Sequence, residues 1–140
     1  MAFKIFLDVN ILLDFLLKRD DHYPDARQIM ELVISNQIQA FITSSVLHIT
    51  GYWVAKAYGS EKAKELLLSL LIDIKIIDIP HEVALTALHS KINDIEDALQ
   101  YYTAIHHQVN YFISRDKQLQ KGGIAALPVC SPGEFVKVLI

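Results

Sequence analysis

Short apolar runs alternate with longer amphipathic ones along the whole chain. Phe3 to Leu7 (FKIFL) is apolar, and Asp8 follows directly. Such a run reads as a strand buried on both faces. Asn10 then opens an apolar helix through Leu17, which stops at Lys18-Arg19. Residues 19–24 are Asp-rich and read as a loop, and 26–38 repeat apolar residues at helical spacing. Gln39 to Thr43 is a second strand, with Ser44 or Ser45 capping a helix that continues to Lys56. Gly59-Ser60 precedes a helix over 61–71, and Ile74 to Ile79 is a third strand. Pro80 starts a helix to His89, and Asn93 or Asp94 caps another over 95–108. Tyr111 to Ser114 and Leu127 to Cys130 are the fourth and fifth strands, and Pro132 begins a last helix.

This alternation predicts one domain over residues 1–140. Its fold class is α/β: an α/β/α sandwich around a central, mostly parallel sheet of four to five strands. In such sheets ligands bind beyond the carboxyl ends of the strands. Strand one ends at Asp8, strand four at Ser114-Arg115-Asp116, and the helix feeding strand four begins Asp94-Ile95-Glu96-Asp97. If strands one and four are neighbours, three or four carboxylates converge on one edge. Packed carboxylates raise one another's pKa, and a divalent cation relieves that repulsion. Oxygen donors without cysteine or convergent histidine favour Mg²⁺ or Mn²⁺ over Zn²⁺.

Composition narrows the partners. The chain has 140 residues, 52% hydrophobic and 21% charged, with a single cysteine, Cys130. No disulfide framework or cysteine zinc site is available, and a reducing, cytoplasmic setting is expected. The longest apolar run, 66–72, is far short of the ~20 residues of a membrane span, and the first residues lack the pattern of a signal peptide. Net charge is −3, which argues against a simple basic nucleic-acid binder. Neutralising Asp8, Asp94, Asp97 and Asp116 by metal would bring it to about +1. Binding of RNA would then depend on the metal and a modest basic rim.

Three motifs in this order resemble the PIN domain family, which includes the VapC-type toxin ribonucleases. They are Asp8-Val9-Asn10-Ile11-Leu12-Leu13-Asp14, Asp94-Ile95-Glu96-Asp97-Ala98-Leu99-Gln100 and Phe112-Ile113-Ser114-Arg115-Asp116-Lys117. The resemblance implies a metal-dependent endoribonuclease, with Asp8, Asp97 and Asp116 as catalytic metal ligands for Mg²⁺ or Mn²⁺. Asn10 would position one of them, with Asp94 as a further acid. Apart from the resemblance, Ser44 reads as a cap that could also contact phosphate, and Arg115 as a phosphate contact if the site binds one. The resemblance also implies RNA as substrate and an antitoxin protein as a possible partner. Many family members carry a glutamate on the helix after strand two. Here 44–50 holds no acid, and His48 or Thr50 takes that region.

Simpler roles compete for the same residues. Asp8 and Asp116 fit a strand end and a turn, Asn10 an N-cap, and Asp94 with Asp97 a capping box. Asp14 reads as a solvent-facing break in an apolar stripe. Tyr52, Trp53, Tyr101 and Tyr102 read as core or dimer surface, and the apolar helices over 11–17 and 29–34 as core, partner surface or homodimer interface. A haloacid-dehalogenase-type phosphatase needs an aspartate where Asn10 stands. A receiver domain spaces its acids and lysine differently. The rival from another class is an inactive PIN domain serving as an RNA- or protein-binding module.

Overall fold

The computed structural model describes residues 3–139. Its five strands form one parallel sheet in the order β3-β2-β1-β4-β5. They are β1 (Phe3–Leu7), β2 (Ile38–Ile42), β3 (Ile74–Ile76), β4 (Tyr111–Ile113) and β5 (Val129–Cys130). β1 is central. It pairs with β2 in the register Ile5↔Ala40 and with β4 in the register Leu7↔Ile113. Ile5, Phe6 and Leu7 are all buried, as expected for a strand covered on both faces.

Eight α-helices cover the sheet among the described residues: α1 (Val9–Leu16), α2 (Tyr23–Ile34), α3 (Ser44–Tyr58), α4 (Ser60–Leu71), α5 (His81–His89), α6 (Ile95–His106), α7 (Lys117–Gly122) and α8 (Pro132–Leu139). The helices α1, α2, α3, α4 and α8 form one connected layer, and α5 packs on α6. Phe6 stacks on Phe112 at 5.0 Å between ring centroids, and Tyr101 of α6 tilts against Phe112 at 5.5 Å. Phe6 therefore faces the α6 side, and alternation turns Ile5 and Leu7 toward the other helix layer. The Tyr101 hydroxyl donates to the Leu127 carbonyl at 2.6 Å and accepts from the Ile124 amide at 2.8 Å. One buried phenol thus pins the irregular approach to β5.

Several boundaries differ from the sequence reading, each for a local reason. Asp8, not Asn10, caps α1, because its carboxylate accepts from the Val9 amide. Thr43, not Ser44 or Ser45, caps α3 by accepting from the Val46 amide. The helix α2 begins at Tyr23, helped by Pro24 in its first turn, and stops at Ile34. Asn36 follows in a left-handed conformation, φ 63°, which turns the chain into β2. The short helix α7, capped by Asp116, was not expected. The helices α1 and α2 spend their apolar faces on the core: Ile11, Leu12, Leu13, Leu16, Ile29, Met30 and Val33 are all buried. No helix among the described residues is long and apolar enough to cross a membrane.

Candidate functional site

The carboxyl ends of β1 and β4 lie side by side, tied by backbone and side chain. The Asp8 amide donates to the Ile113 carbonyl at 3.1 Å. The Ser114 hydroxyl donates to Asp8 Oδ2 at 2.8 Å and accepts from the Asp116 amide at 3.1 Å. One serine thereby couples the two strand-end aspartates. Asp8 is 8% exposed, and its Oδ1 accepts from the Val9 amide at 2.8 Å.

Asp8, Asp94 and Asp116 are the N-caps of α1, α6 and α7. Three helix N-termini therefore point into the same region, and their partial positive charge offsets some of the acid repulsion. Capping uses Oδ1 of Asp94, which accepts from the Asp97 amide at 2.9 Å, and Oδ1 of Asp116, which accepts from Gln118 at 2.9 Å. The capping roles and a site role coexist.

A cleft of about 390 Å³ is lined by Asp8, Asn10, Asp94, Glu96, Asp97 and Asp116, with Arg19 at its rim. Burial pushes the Asp8 carboxyl up, and Asp116 adds to the rise, against the opposing hydrogen bonds from Ser114 and Val9. Burial also drives Asp97 up to about 7, with Asp8, Asp94, Asp116 and Glu96 raising it further. Glu96 is raised by burial and by Asp8 and Asp94. Such shifts mark acids forced together at a site suited to positive charge. The donor chemistry fits a hard divalent cation, being oxygen-only and rich in negative charge. As the side chains stand, no three acids or imidazoles among the described residues close on a common point.

Sequence reasoning missed two members of the cleft. Glu96 stands in the first turn of α6, beside Asp97. Arg19 reaches the rim from the loop after α1, where its Nη1 donates to Asn10 Oδ1 at 3.3 Å and sits 3.6 Å from Asp14. Asn10 itself is an exposed residue of α1 rather than its cap.

Two expected contributors stand elsewhere. Ser44 is exposed and does not line the acid cleft, since Thr43 takes the cap. Its neighbour Ser45 joins a buried network, in which Gln100 Nε2 donates to Ser45 and Thr43 donates to Gln100 Oε1, each at 2.5 Å. Arg115 turns away from the acids to Asp14. Its Nε and Nη2 donate to the two Asp14 oxygens at 2.8 and 3.1 Å. Asp14 is 1% exposed. It is therefore a buried ion-pair partner and not a solvent-facing break, and its charge explains where Arg115 points.

The face of α3 toward the acids is also different. Val46, Thr50 and Val54 form the buried stripe, with the Thr50 hydroxyl donating to the Val46 carbonyl at 2.7 Å. His48 is exposed. Ile49 and Trp53, one turn apart, line the acid cleft in place of His48 or Thr50.

One protein family, described as PIN domain, matches residues 4–118. No curated protein matches the sequence significantly. Among solved structures, a chain in VapBC2 from Rickettsia felis, bound to a DNA fragment from their promoter, aligns at a TM-score of 0.69 and 19% identity, covering 90% of this chain and 96% of that one. A chain of a toxin–antitoxin complex from Klebsiella pneumoniae aligns at 0.69 and 22% identity, covering 91% and 97%. VapC20 of Mycobacterium tuberculosis, a sarcin-ricin loop cleaving toxin, aligns at 0.68 and 13% identity, covering 87% and 97%. These likenesses establish a shared fold. The family match runs from the first strand through the aspartate that caps α7, so it takes in every acid of the cleft, and the chain belongs to the PIN domain family.

Proposed function

We propose that this chain is a Mg²⁺- or Mn²⁺-dependent endoribonuclease, the toxin of a toxin–antitoxin pair, acting in the cytoplasm. The observation that carries the reading is the convergence of Asp8, Asp97 and Asp116 on one cleft at the carboxyl edge of β1 and β4. Those three would hold the ion, with Glu96 and Asp94 adding negative charge around it. A divalent ion bound there supplies polarisation of the phosphodiester and acidification of water. Ser114 fixes the Asp8 carboxylate, and Asn10 with Arg19 presents polar groups to the substrate from the rim. Hydrolysis forms one phosphorus–oxygen bond to water and breaks one to ribose, and the water proton ends on the leaving oxygen or in solvent.

An antitoxin partner is supported by the toxin–antitoxin assemblies among the structural neighbours. The apolar faces of α1 and α2 are largely spent on the core, which leaves little of them for a homodimer contact. Exposed apolar side chains stand instead at Leu68, Ile72 and Ile76, and separately at Leu85 and Leu88 of α5, as candidate contacts for a partner protein.

The apolar Ile49 and Trp53 at the cleft favour a second reading, a PIN module that binds RNA without cutting it. Calorimetric titration with Mn²⁺ on the wild type and on Asp8→Asn, with an RNA cleavage gel alongside, separates the two. Asparagine retains a capping oxygen, so the fold is kept. Binding lost in the variant, with Mn²⁺-dependent cleavage by the wild type, supports the nuclease. Binding without cleavage supports the module. No binding at all overturns the metal site.

A further inference from the structure

Trp53 is 47% exposed, a large aromatic surface left open to water. It is also a wall of the acid cleft. The neighbouring Tyr52 packs edge-to-face on it at 5.3 Å between centroids. Lys56, one turn on, holds its ammonium 5.2 Å from the Tyr52 ring centre and 5.9 Å from that of Trp53. A half-exposed indole with a cation over its ring, beside clustered carboxylates, is not the composition of a hydrophobic interface. It pairs a surface for a flat ring with a charge for an anion.

A second cleft, of about 790 Å³, adjoins the same acids. Asp94, Asp97 and Asp116 line both clefts, and the second adds Tyr102, Lys91 and Lys121. The acids thus stand at the junction of two grooves. Each groove carries an aromatic ring and at least one cation besides the acids: Trp53 with Arg19 in the first, with Lys56 beside Trp53, and Tyr102 with Lys91 and Lys121 in the second. A groove with cations for a phosphate backbone and aromatic faces for bases is the arrangement that holds a single strand. Duplex RNA keeps its bases stacked inside and offers none to a protein ring.

We infer that Trp53 is a base-stacking residue, on which a nucleobase flanking the scissile phosphate of single-stranded RNA lies. The strand runs from the Trp53 groove across the acids into the Lys91–Lys121 groove. This inference rests on the nuclease reading and adds the residue that holds a base beside the scissile phosphate. Stacking tolerates any base, so sequence preference at this position is mild.

Trp53 is the sole tryptophan of the chain, so its emission reports on the site directly. The test mixes wild-type protein with a single-stranded RNA of about eight nucleotides, and with the same RNA annealed to its complement. Both are read in Mg²⁺ within seconds of mixing, and KM and kcat for cleavage are measured in parallel. The expected result is saturable quenching by the single strand and little by the duplex. Trp53→Ala raises KM about ten-fold or more with kcat little changed, and Trp53→Phe restores most of the loss. If the wild type cleaves RNA but shows no quenching, and Trp53→Ala leaves KM unchanged, the stacking role is overturned while the nuclease stands. If the wild type neither binds nor cleaves RNA, the nuclease reading fails and takes this inference with it. Emission that shifts with protein concentration, or on adding a cationic peptide, with no response to RNA, gives this face to a second copy or a protein partner and overturns the proposal. Should Trp53→Ala fail to fold, the wild-type quenching and the Trp53→Phe kinetics decide.

Discussion

Removing Asp14 is expected to destabilise the protein, and removing Arg115 to destabilise it more. Asp14 lies 1% exposed on α1, held by two charge-assisted bonds from Arg115 and flanked by Arg19 at 3.6 Å. Breaking a buried pair costs about 3–5 kcal/mol when the remaining charge is trapped. In Asp14→Ala the remaining charges are arginines whose side chains are already 30% and 38% exposed, so they turn to water. The cost falls to about 2–3 kcal/mol. In Arg115→Ala the trapped group is the carboxylate itself, leaving only the longer Arg19 contact, and the loss approaches the full range. With about 2.1 cal/mol/K of unfolding entropy per residue, each kcal/mol moves Tm by about 3 °C in a chain of this size. Asp14→Ala should therefore melt about 6–9 °C lower. The double variant Asp14→Leu with Arg115→Met replaces the pair by apolar volume and should lie within about 1–2 kcal/mol of wild type. Thermal and urea unfolding of wild type, Asp14→Leu, Arg115→Met and their double variant complete a double-mutant cycle, with Asp14→Ala and Arg115→Ala measured alongside. Single losses below about 0.5 kcal/mol, or strict additivity, would show that the pair is not a buried unit.

Three further outcomes are expected. Asp97, raised to about 7 from an ordinary value of 3.8, binds its proton more tightly when folded. Its share of stability is present below about pH 4 and is lost as pH rises toward 7. Asp97→Asn should thus match wild type near pH 4 and exceed it by about 1–2 kcal/mol above pH 7.5, after discounting for solvent screening; an equal gain at both pH values contradicts the crowding of the acids. Ser114→Ala removes the donor to Asp8 and the acceptor for the Asp116 amide. A loss of about 1–3 kcal/mol in urea unfolding is expected, together with weaker Mn²⁺ binding by calorimetry. Saturating Mn²⁺ should raise Tm by mass action, about 2.7 kcal/mol at one hundred times Kd; the gain should vanish in Asp8→Asn and on adding chelator.

The sheet was legible because its strands are short apolar runs, each with a polar stop. The strand-end rule then located Asp8, Asp97 and Asp116 without tertiary information. Caps were harder. Asp8 and Thr43 sit one or two residues before the sites expected from residue type, because the cap is set by where the strand releases the chain. The Asp14–Arg115 pair was illegible for a different reason: its partners are separated by 101 residues, and nothing local in an apolar helix announces a distant guanidinium. The phase of α3 was partly readable. Val46, Thr50 and Val54 recur every fourth residue as a buried stripe, and that stripe places Ile49 and Trp53 on an adjoining face. Thr50 hid it, since a hydroxyl that bonds back to its own helix looks polar in sequence and behaves as core in the fold.

The strand order also governs when the cleft comes into being. Outward growth from β1 to β2 and β3 leaves the other edge of β1 open until β4 arrives, more than a hundred residues later in the chain. During synthesis at about 5–20 residues per second, Asp8 emerges well before Asp97 and Asp116, and waits seconds for them. A growing or truncated chain carries β1 and its aspartate with none of the opposing acids. The full set of acids therefore meets only once β4 and the start of α7 have been made and β4 has docked on β1.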